Sequence, residues 1–156
     1  MFGKKRDGIW FAEQVQEMKS AMFYIAISIL HSEWDAEDAT ANAILKAYEN
    51  LDSLREPEKF RPWLLRILKN ECCEYAKKNA KYVPQDKWEL TEEFKPPNTD
   101  LWNAMKELGE KDRLAILLFY LEGYKIREIA EVLEEPVGTV KSRLSRTRKT
   151  LKELLK

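Results

Sequence analysis

Residues 126–155 read IREIAEVLEEPVGTVKSRLSRTRKTLKELL, and this stretch decides the fold of the C-terminal part of the chain. Its first eight residues, 126–133, place apolar side chains on one helical face, and residues 134–138 then supply a turn containing Pro136 and Gly138. From Thr139 a longer helix follows, with Val140 and Leu144 facing inward. A short helix, a tight turn and a longer helix form the helix-turn-helix pattern, so we predict helices over 126–133 and 139–155.

The outward face of the second of these helices is basic, although the whole chain has 27 basic and 27 acidic residues and no net charge. In a helix-turn-helix the first turns of that helix enter the major groove, where Arg reads guanine and Ser contacts phosphate or a base edge. A basic face that is merely solvated is the alternative, but the preceding helix and turn favour DNA binding. The predicted duplex-binding residues are Thr139, Lys141, Ser142, Arg143, Ser145, Arg146, Arg148 and Lys149.

Apolar spacing predicts helices in the rest of the chain as well, over residues 11–31, 35–50 and from about Pro62 to 81, with a loop at 51–59. Two further helices are predicted at 99–108 and 111–122. Residues 82–98 are acidic and contain Pro84, Pro96 and Pro97, which is typical of an interdomain linker. We therefore predict an all-α protein with two small helical domains, 1–81 and 99–156, joined by a flexible linker.

The composition argues against several other classes of protein. Cys72 and Cys73 are adjacent, so they point in different directions on a helix and suit buried thiols in a reducing compartment. The N-terminus lacks the apolar core of a signal peptide, and no apolar stretch has the length of a membrane span. With a single histidine, His31, and no metal-ligand spacing, phosphate loop or activated nucleophile, we expect a cytoplasmic protein that is not an enzyme and needs no cofactor or metal.

Three stretches carry a resemblance to a known family. Residues 121–155 (LEGYKIREIAEVLEEPVGTVKSRLSRTRKTLKELL) resemble the fourth conserved region of bacterial sigma factors. Residues 35–51 (DAEDATANAILKAYENL) and 60–79 (FRPWLLRILKNECCEYAKKN) resemble the second conserved region. Together they are similar to the small extracytoplasmic-function class of the sigma-70 family, which keeps these two domains and a linker. The two motifs stand in the right order and cover nearly the whole chain, which makes the signal specific.

The resemblance implies a promoter-recognition subunit that brings core RNA polymerase to DNA, reading the −35 element as duplex with the last helix. The helix at 35–50 would dock on the clamp helices of the largest polymerase subunit, through Asp35, Glu37, Asp38, Asn42 and Leu45. The first three also suit the N-terminal turn of a helix, and both roles are compatible. Ala39–Asn42 departs from the family, in which an acidic or Gln-containing step is frequent. Membership also implies an anti-sigma factor as a partner.

The loop at 51–59 and the helix after it would open and read the −10 element as a single strand, which requires cations, aromatics and amide groups. The predicted residues are Ser53, Arg55, Phe60, Arg61, Arg66, Lys69 and Asn70. Asn70 fits equally well as a surface or capping residue. Trp63 fits the core better than a stacking role.

The competing interpretation is an ordinary helix-turn-helix regulator that does not bind core polymerase. The stretches at 35–51 and 60–79 favour the sigma factor, because an independent regulator does not need them.

Overall fold

The computed structural model describes residues 4–79, 88–96 and 98–156, and every regular element within these residues is helical. The first half contains α1 (Lys4–Glu17), α2 (Lys19–Leu30), α3 (Glu33–Glu49) and α4 (Phe60–Lys78). The second half contains α5 (Thr99–Met105), α6 (Glu110–Ile116), α7 (Ile126–Leu133) and α8 (Val137–Leu154). The all-α prediction is confirmed.

The first half is a bundle in which α3 packs between α2 and α4 through a stripe of fully buried alanines. Ala36, Ala39, Ala43 and Ala47 follow one another at the three- and four-residue spacing of a helix face. Small side chains at these positions let the neighbouring helices approach closely, and Leu64 and Leu68 of α4 complete the core. The helix begins at Glu33, two residues before the predicted start, because the Ser32 hydroxyl accepts the backbone N–H of Asp35 at 3.2 Å and caps it.

The predicted helix over 11–31 is two helices, α1 and α2, which meet at buried Met18. The Met18 N–H still bonds the carbonyls of Gln14 and Val15, so the chain bends within a nearly continuous helical path. No proline or glycine marks this break in the sequence.

The loop at 51–59 contains two short 3-10 turns, Leu51–Ser53 and Pro57–Lys59. Buried Leu51 and Leu54 anchor it, and the Ser53 hydroxyl donates to the Asn50 carbonyl at 2.7 Å. The loop is therefore held beside the first turns of α4.

The helix-turn-helix forms as predicted, with α7 matching the expected bounds and α8 beginning two residues earlier, at Val137. Glu134 ends α7 in the left-handed region, with φ of 54°, and the N–H of Glu135 bonds back to the Ala130 carbonyl at 3.0 Å. Pro136 precedes the first turn of α8 with extended backbone, which suits a residue without an N–H. Before α7, a π-helical segment (Leu117–Leu121) leads to Gly123, whose φ of 70° reverses the chain.

The two halves are in contact, and the described part of the predicted linker packs against both. The Trp88 ring stacks on His31 with ring centroids 4.0 Å apart. The ring centroids of Phe94 and of Trp102 in α5 are 5.4 Å apart. The N–H of Glu89 donates to the His31 carbonyl at 2.7 Å. Residues 82–87 and 97 of the predicted linker lie outside the described residues.

Arg113 of α6 is buried and connects the halves. Its guanidinium donates to the Ser28 carbonyl at the end of α2 and to the carbonyls of Met105 and Leu108 in its own half. It also lies 3.4 Å from the His31 ring. Burial and then the positive charge of Arg113 lower the pKa of His31 to about 4, so this histidine is neutral at pH 7.

Candidate nucleic-acid interfaces

The basic helix α8 presents most of the predicted duplex-binding residues to solvent. Val140, Leu144, Thr147 and Leu151 face the core, which fixes the opposite face outward. The exposed residues from the prediction are Thr139, Lys141, Ser142, Ser145, Arg146, Arg148 and Lys149. Arg148 also lies over the Tyr120 ring, 5.6 Å from its centroid. The geometry of a recognition helix is therefore in place.

Arg143 differs from the other seven because its side chain is occupied within the protein. It donates to Asp112 at 2.7 Å and, through both Nε and Nη2, to the Glu135 carboxylate. Burial alone would lower its pKa, but the hydrogen bonds to Glu135 and Asp112 outweigh burial and raise the pKa of Arg143. The arrangement ties α8 to the turn and to α6, so Arg143 holds the recognition helix in position.

Val137 is a surface residue of α8 that sequence reasoning missed. The sequence placed it in the turn, but in the structure it is the first residue of the helix and is exposed beside Gly138 and Thr139. An apolar side chain in the first turn of a recognition helix can contact the methyl group of thymine. The signal in the sequence was Pro136, which suits the position just before a helix.

Three of the predicted single-strand residues line a cleft of about 270 Å³ between the 51–59 loop and α4. Ser53, Arg55, Trp63 and Arg66 line it, and Glu131 of α7 contributes from the second half. Trp63, Arg66 and Ser53 also line a neighbouring cleft of about 340 Å³, together with Asn70. Cationic, amide and aromatic groups therefore meet here, as capture of a single strand requires.

Two aromatic residues near this cleft differ in burial, Phe60 being fully buried and Trp63 half-buried. Phe60 was predicted to contact the single strand, but its ring is buried against Trp10 and Phe11, with ring centroids 5.0 and 5.7 Å away. A side chain that completes the core cannot stack on a base without disturbing the bundle, which corrects that prediction. Trp63 was assigned to the core, and its half-buried ring does pack against the core, with its centroid 5.7 Å from that of Phe60, while it also forms a wall of both clefts.

Three other predicted single-strand residues contact the second half of the protein. Lys69 Nζ lies 3.2 Å from Glu134, and the Asn70 amide lies 3.5 Å from the same carboxylate. Arg61 Nε lies 3.3 Å from the Tyr124 hydroxyl, with the guanidinium over the Tyr124 ring. These contacts bring α7 and the loop before it onto α4.

The outer face of α3 carries four of the predicted polymerase-binding residues, and the fifth, Asp35, is half-buried beside α4. Glu37, Asn42 and Leu45 are exposed, the last at 58%. Asp35 and Asp38 both accept the Tyr75 hydroxyl, at 3.2 and 3.0 Å, which ties the start of α3 to α4. Trp34, at 79% exposure, precedes Asp38 and Leu45 by one and three helical turns and shares their face. Sequence reasoning missed Trp34, although a tryptophan next to a helix cap was visible.

Within residues 4–79, 88–96 and 98–156, no cluster of His, Cys, Asp and Glu side chains could hold a metal ion. Cys72 is buried and Cys73 half-buried, and burial raises the pKa of both thiols. Over the same residues, no helix combines the length and hydropathy needed to span a bilayer.

Comparison with known proteins matches both halves of the chain to sequence families. Residues 14–82 match the family described as Sigma-70 region 2, and residues 99–151 match Sigma-70, region 4. The ECF RNA polymerase sigma factor SigW of Bacillus subtilis (strain 168) is 31% identical, covering 98% of this chain and 92% of SigW. The RNA polymerase sigma factor SigV of the same organism is 30% identical, with coverages of 88% and 86%.

The fold also matches a solved structure over most of both chains. The sigma factor RpoE of Bartonella quintana, solved in complex with the anti-sigma factor NepR, superposes with a TM-score of 0.76 at 26% identity. The match covers 93% of this chain and 96% of RpoE.

Proposed function

This chain belongs to the extracytoplasmic-function class of sigma-70 RNA polymerase sigma factors, and we propose that its two halves divide a promoter between them. As a sigma factor it binds core RNA polymerase and directs promoter-specific initiation of transcription. The observation that carries the proposal is the pair of separate surfaces. One half presents an exposed basic recognition helix, and the other has a cleft where Arg55, Arg66 and the Trp63 ring meet. An independent regulator would use the first surface and leave the second without a role.

The −35 element is read by α8. Lys141, Ser142, Ser145 and Arg146 lie in its outward first turns, where major-groove contact determines sequence. Thr139, Arg148 and Lys149 meet phosphates, and Arg143 sets the angle of the helix through Asp112 and Glu135. Val137 adds an apolar contact for a thymine methyl group.

The −10 element is captured as a single strand by α4 and the 51–59 loop. Ser53, Arg55 and Arg66 line the cleft directly, and Trp63 offers a ring for a base to stack on. Arg61, Lys69 and Asn70 lie beside the cleft on the same face of the first half. Their side chains suit contacts with the phosphates and base edges of the neighbouring nucleotides in the strand.

Core polymerase binds the outer face of α3, through the clamp helices of its largest subunit. The supporting features are the exposed carboxylate of Glu37, the Asn42 amide and the apolar side chains of Trp34 and Leu45. Polymerase supplies the chemistry, so the chain itself is not catalytic.

We also propose a partner and a location for this chain, the first from its family and the second from its function and composition. RpoE of Bartonella quintana was solved with an anti-sigma factor, and an anti-sigma factor is the partner we propose here. The site of action is the cytoplasm, where polymerase and promoter DNA are found. Two free cysteines, one of them buried, suit that reducing compartment.

Gel filtration of the full-length protein with core RNA polymerase tests the first step. We expect co-elution, and we expect the complex to protect a promoter fragment at both elements in footprinting. The protein alone should give weak or no protection, because polymerase fixes the distance between the halves. An elution volume unchanged by core polymerase, with strong protection by the protein alone, would favour an independent regulator.

A further inference from the structure

The carboxylate of Asp112 lies beside two arginines of the recognition helix. Its Oδ1 atom accepts a hydrogen bond from Arg143 Nη1 at 2.7 Å and lies 3.6 Å from Arg146 Nη2. Asp112 belongs to α6, whereas the two arginines are three residues apart on one face of α8. A carboxylate outside the recognition helix is therefore in contact with an arginine that is predicted to read a base.

The charge of Arg143 is already matched by Glu135. Arg143 donates to the Glu135 carboxylate from both Nε and Nη2. Burial opposes the charge on Glu135, but the hydrogen bond from Arg143 outweighs burial and lowers the pKa of Glu135. Glu135 is therefore an anion at neutral pH, and it neutralises Arg143. This pairing leaves the negative charge of Asp112 to act on Arg146.

The contact constrains an arginine side chain that is 64% exposed. An arginine on an open helix surface samples many rotamers, and fixing it on a base costs conformational entropy. Asp112 attracts the Nη2 end of the Arg146 guanidinium and leaves most of its five N–H donors available. The free donors suit the two acceptors that guanine presents in the major groove. Part of the entropic cost is therefore met before DNA arrives.

An exposed ion pair contributes little to stability in water, so the contact has its main effect in the complex with DNA. A duplex on α8 displaces water around Arg146, which lowers the local dielectric constant and strengthens the attraction to Asp112. The DNA phosphates meanwhile repel the Asp112 carboxylate, which weakens binding to every sequence. A side chain with both effects increases selectivity rather than affinity.

We infer that Asp112 is a positioning residue for promoter selection, which orients Arg146 toward its base pair in the −35 element. The inference rests on the proposed function, because it takes α8 as the helix that reads this element. Arg146 contacts the base, and Asp112 acts through Arg146. Asp112 therefore controls how strongly one base pair of the −35 element is preferred.

Holoenzyme, assembled from core polymerase and the full-length protein, tests the inference on a promoter fragment that yields a run-off transcript. The −35 base pairs are randomised one position at a time, and sequencing of the bound and free fractions gives the base preference at each position. Arg146→Ala identifies the base pair that Arg146 reads. We expect Asp112→Asn to reduce the preference at that position by about threefold or more, the effect of freeing one side chain. Affinity for fragments without the preferred base should increase, because a negative charge near DNA is removed.

The double variant Asp112→Asn with Arg146→Ala separates positioning from a structural role. It should lose no more preference than Arg146→Ala alone, since Asp112 acts through Arg146. Asp112→Asn keeps an oxygen that can accept from Arg143, so its unfolding temperature should stay close to that of the wild type. Asp112→Glu, which keeps the charge on a longer side chain, should recover part of the preference.

Glu107→Gln is the matched control for the loss of one carboxylate. Glu107 is exposed and lies beside Leu154 and Leu155, at the opposite end of α8 from the residues that read bases. The control should leave every base preference unchanged.

Three results would overturn the inference and leave the proposed function intact. A gain in affinity with every preference unchanged in Asp112→Asn would show that Asp112 only repels DNA. A loss spread over all positions, or one that the double variant adds to that of Arg146→Ala, would show a structural role. If Arg146→Ala itself alters no base preference, the −35 role of Arg146 is wrong, and the inference fails with it.

Discussion

Arg143 and Arg146 lie three residues apart on α8, and the sequence predicts that both contact duplex DNA. The structure separates them, because the Arg143 side chain is 15% exposed and paired with two carboxylates, whereas that of Arg146 is 64% exposed. Pairing with Asp112, on a different helix, depends on the tertiary fold, which local sequence patterns do not reveal.

Alanine substitution should distinguish the two arginines. Arg143→Ala removes the half-buried hydrogen bonds to Glu135 and Asp112, leaving these carboxylates with only the longer contacts to Lys111 and Arg146, and should lower the free energy of unfolding by about 1–3 kcal/mol. Arg146→Ala should change stability by less than about 0.5 kcal/mol but cost about 1–3 kcal/mol of discrimination at one base of the −35 element. Thermal unfolding measures the change in stability. Titration of duplexes with single base changes measures the loss of discrimination. Equal stability of the two variants would contradict the positioning role of Arg143.

His31 should make stability depend on pH. Its pKa falls from 6.5 to about 4 in the folded protein, so the unfolded chain takes up a proton first as the pH drops. The part of the free energy of unfolding that depends on neutral His31 is therefore fully present above pH 6.5. It is lost progressively as the pH falls from 6.5 to about 4. Asn tolerates the positive φ of 61° at this position, so His31→Asn is the suitable variant.

Urea unfolding at about pH 7.5 and about pH 5 measures this effect. We expect His31→Asn to be the less stable protein at the higher pH, because the ring stacked on Trp88 is lost. The difference should shrink at the lower pH. A difference that stays constant would mean that His31 titrates normally and that neither burial nor Arg113 affects it.

At the scale of the helices, the elements with strong apolar spacing were predictable, and their ends were less so. The bounds of α7 followed from the sequence because its apolar residues and turn are both local. The break between α1 and α2 did not, since only the packing of Met18 marks it. The sequence also predicted a flexible linker, but the packing of Trp88 and Phe94 against distant rings could not be read from its proline-rich composition.

The outer face of α3 should bind polymerase through apolar contacts, of which the sequence predicted Leu45 but not Trp34. The double variant Trp34→Ser with Leu45→Ser should weaken co-elution with core polymerase by about tenfold or more, because exposed aromatic anchors dominate many interfaces. Its unfolding temperature should match that of the wild type. Ile9→Ser, which removes a 63% exposed apolar side chain from α1, is the matched control. If the control weakens binding as much as the double variant, the binding face is not on α3.

For the whole molecule, the division into two halves was visible in the sequence, whereas their contact was not. Arg113, Glu134 and Tyr124 each have a local explanation as ordinary helix-surface or turn residues. Only the fold shows that they reach Ser28, Lys69 and Arg61 in the other half.

Run-off transcription on a library of genomic fragments, with core polymerase and the full-length protein, tests the central claim most directly. We expect discrete transcripts from a few fragments that share two spaced elements, and none when the protein is omitted. With Arg146→Ala those transcripts should decrease, while Glu107→Lys should leave them unchanged. The same transcripts with and without the protein, on fragments that it binds tightly by itself, would contradict the account and indicate an independent DNA-binding regulator.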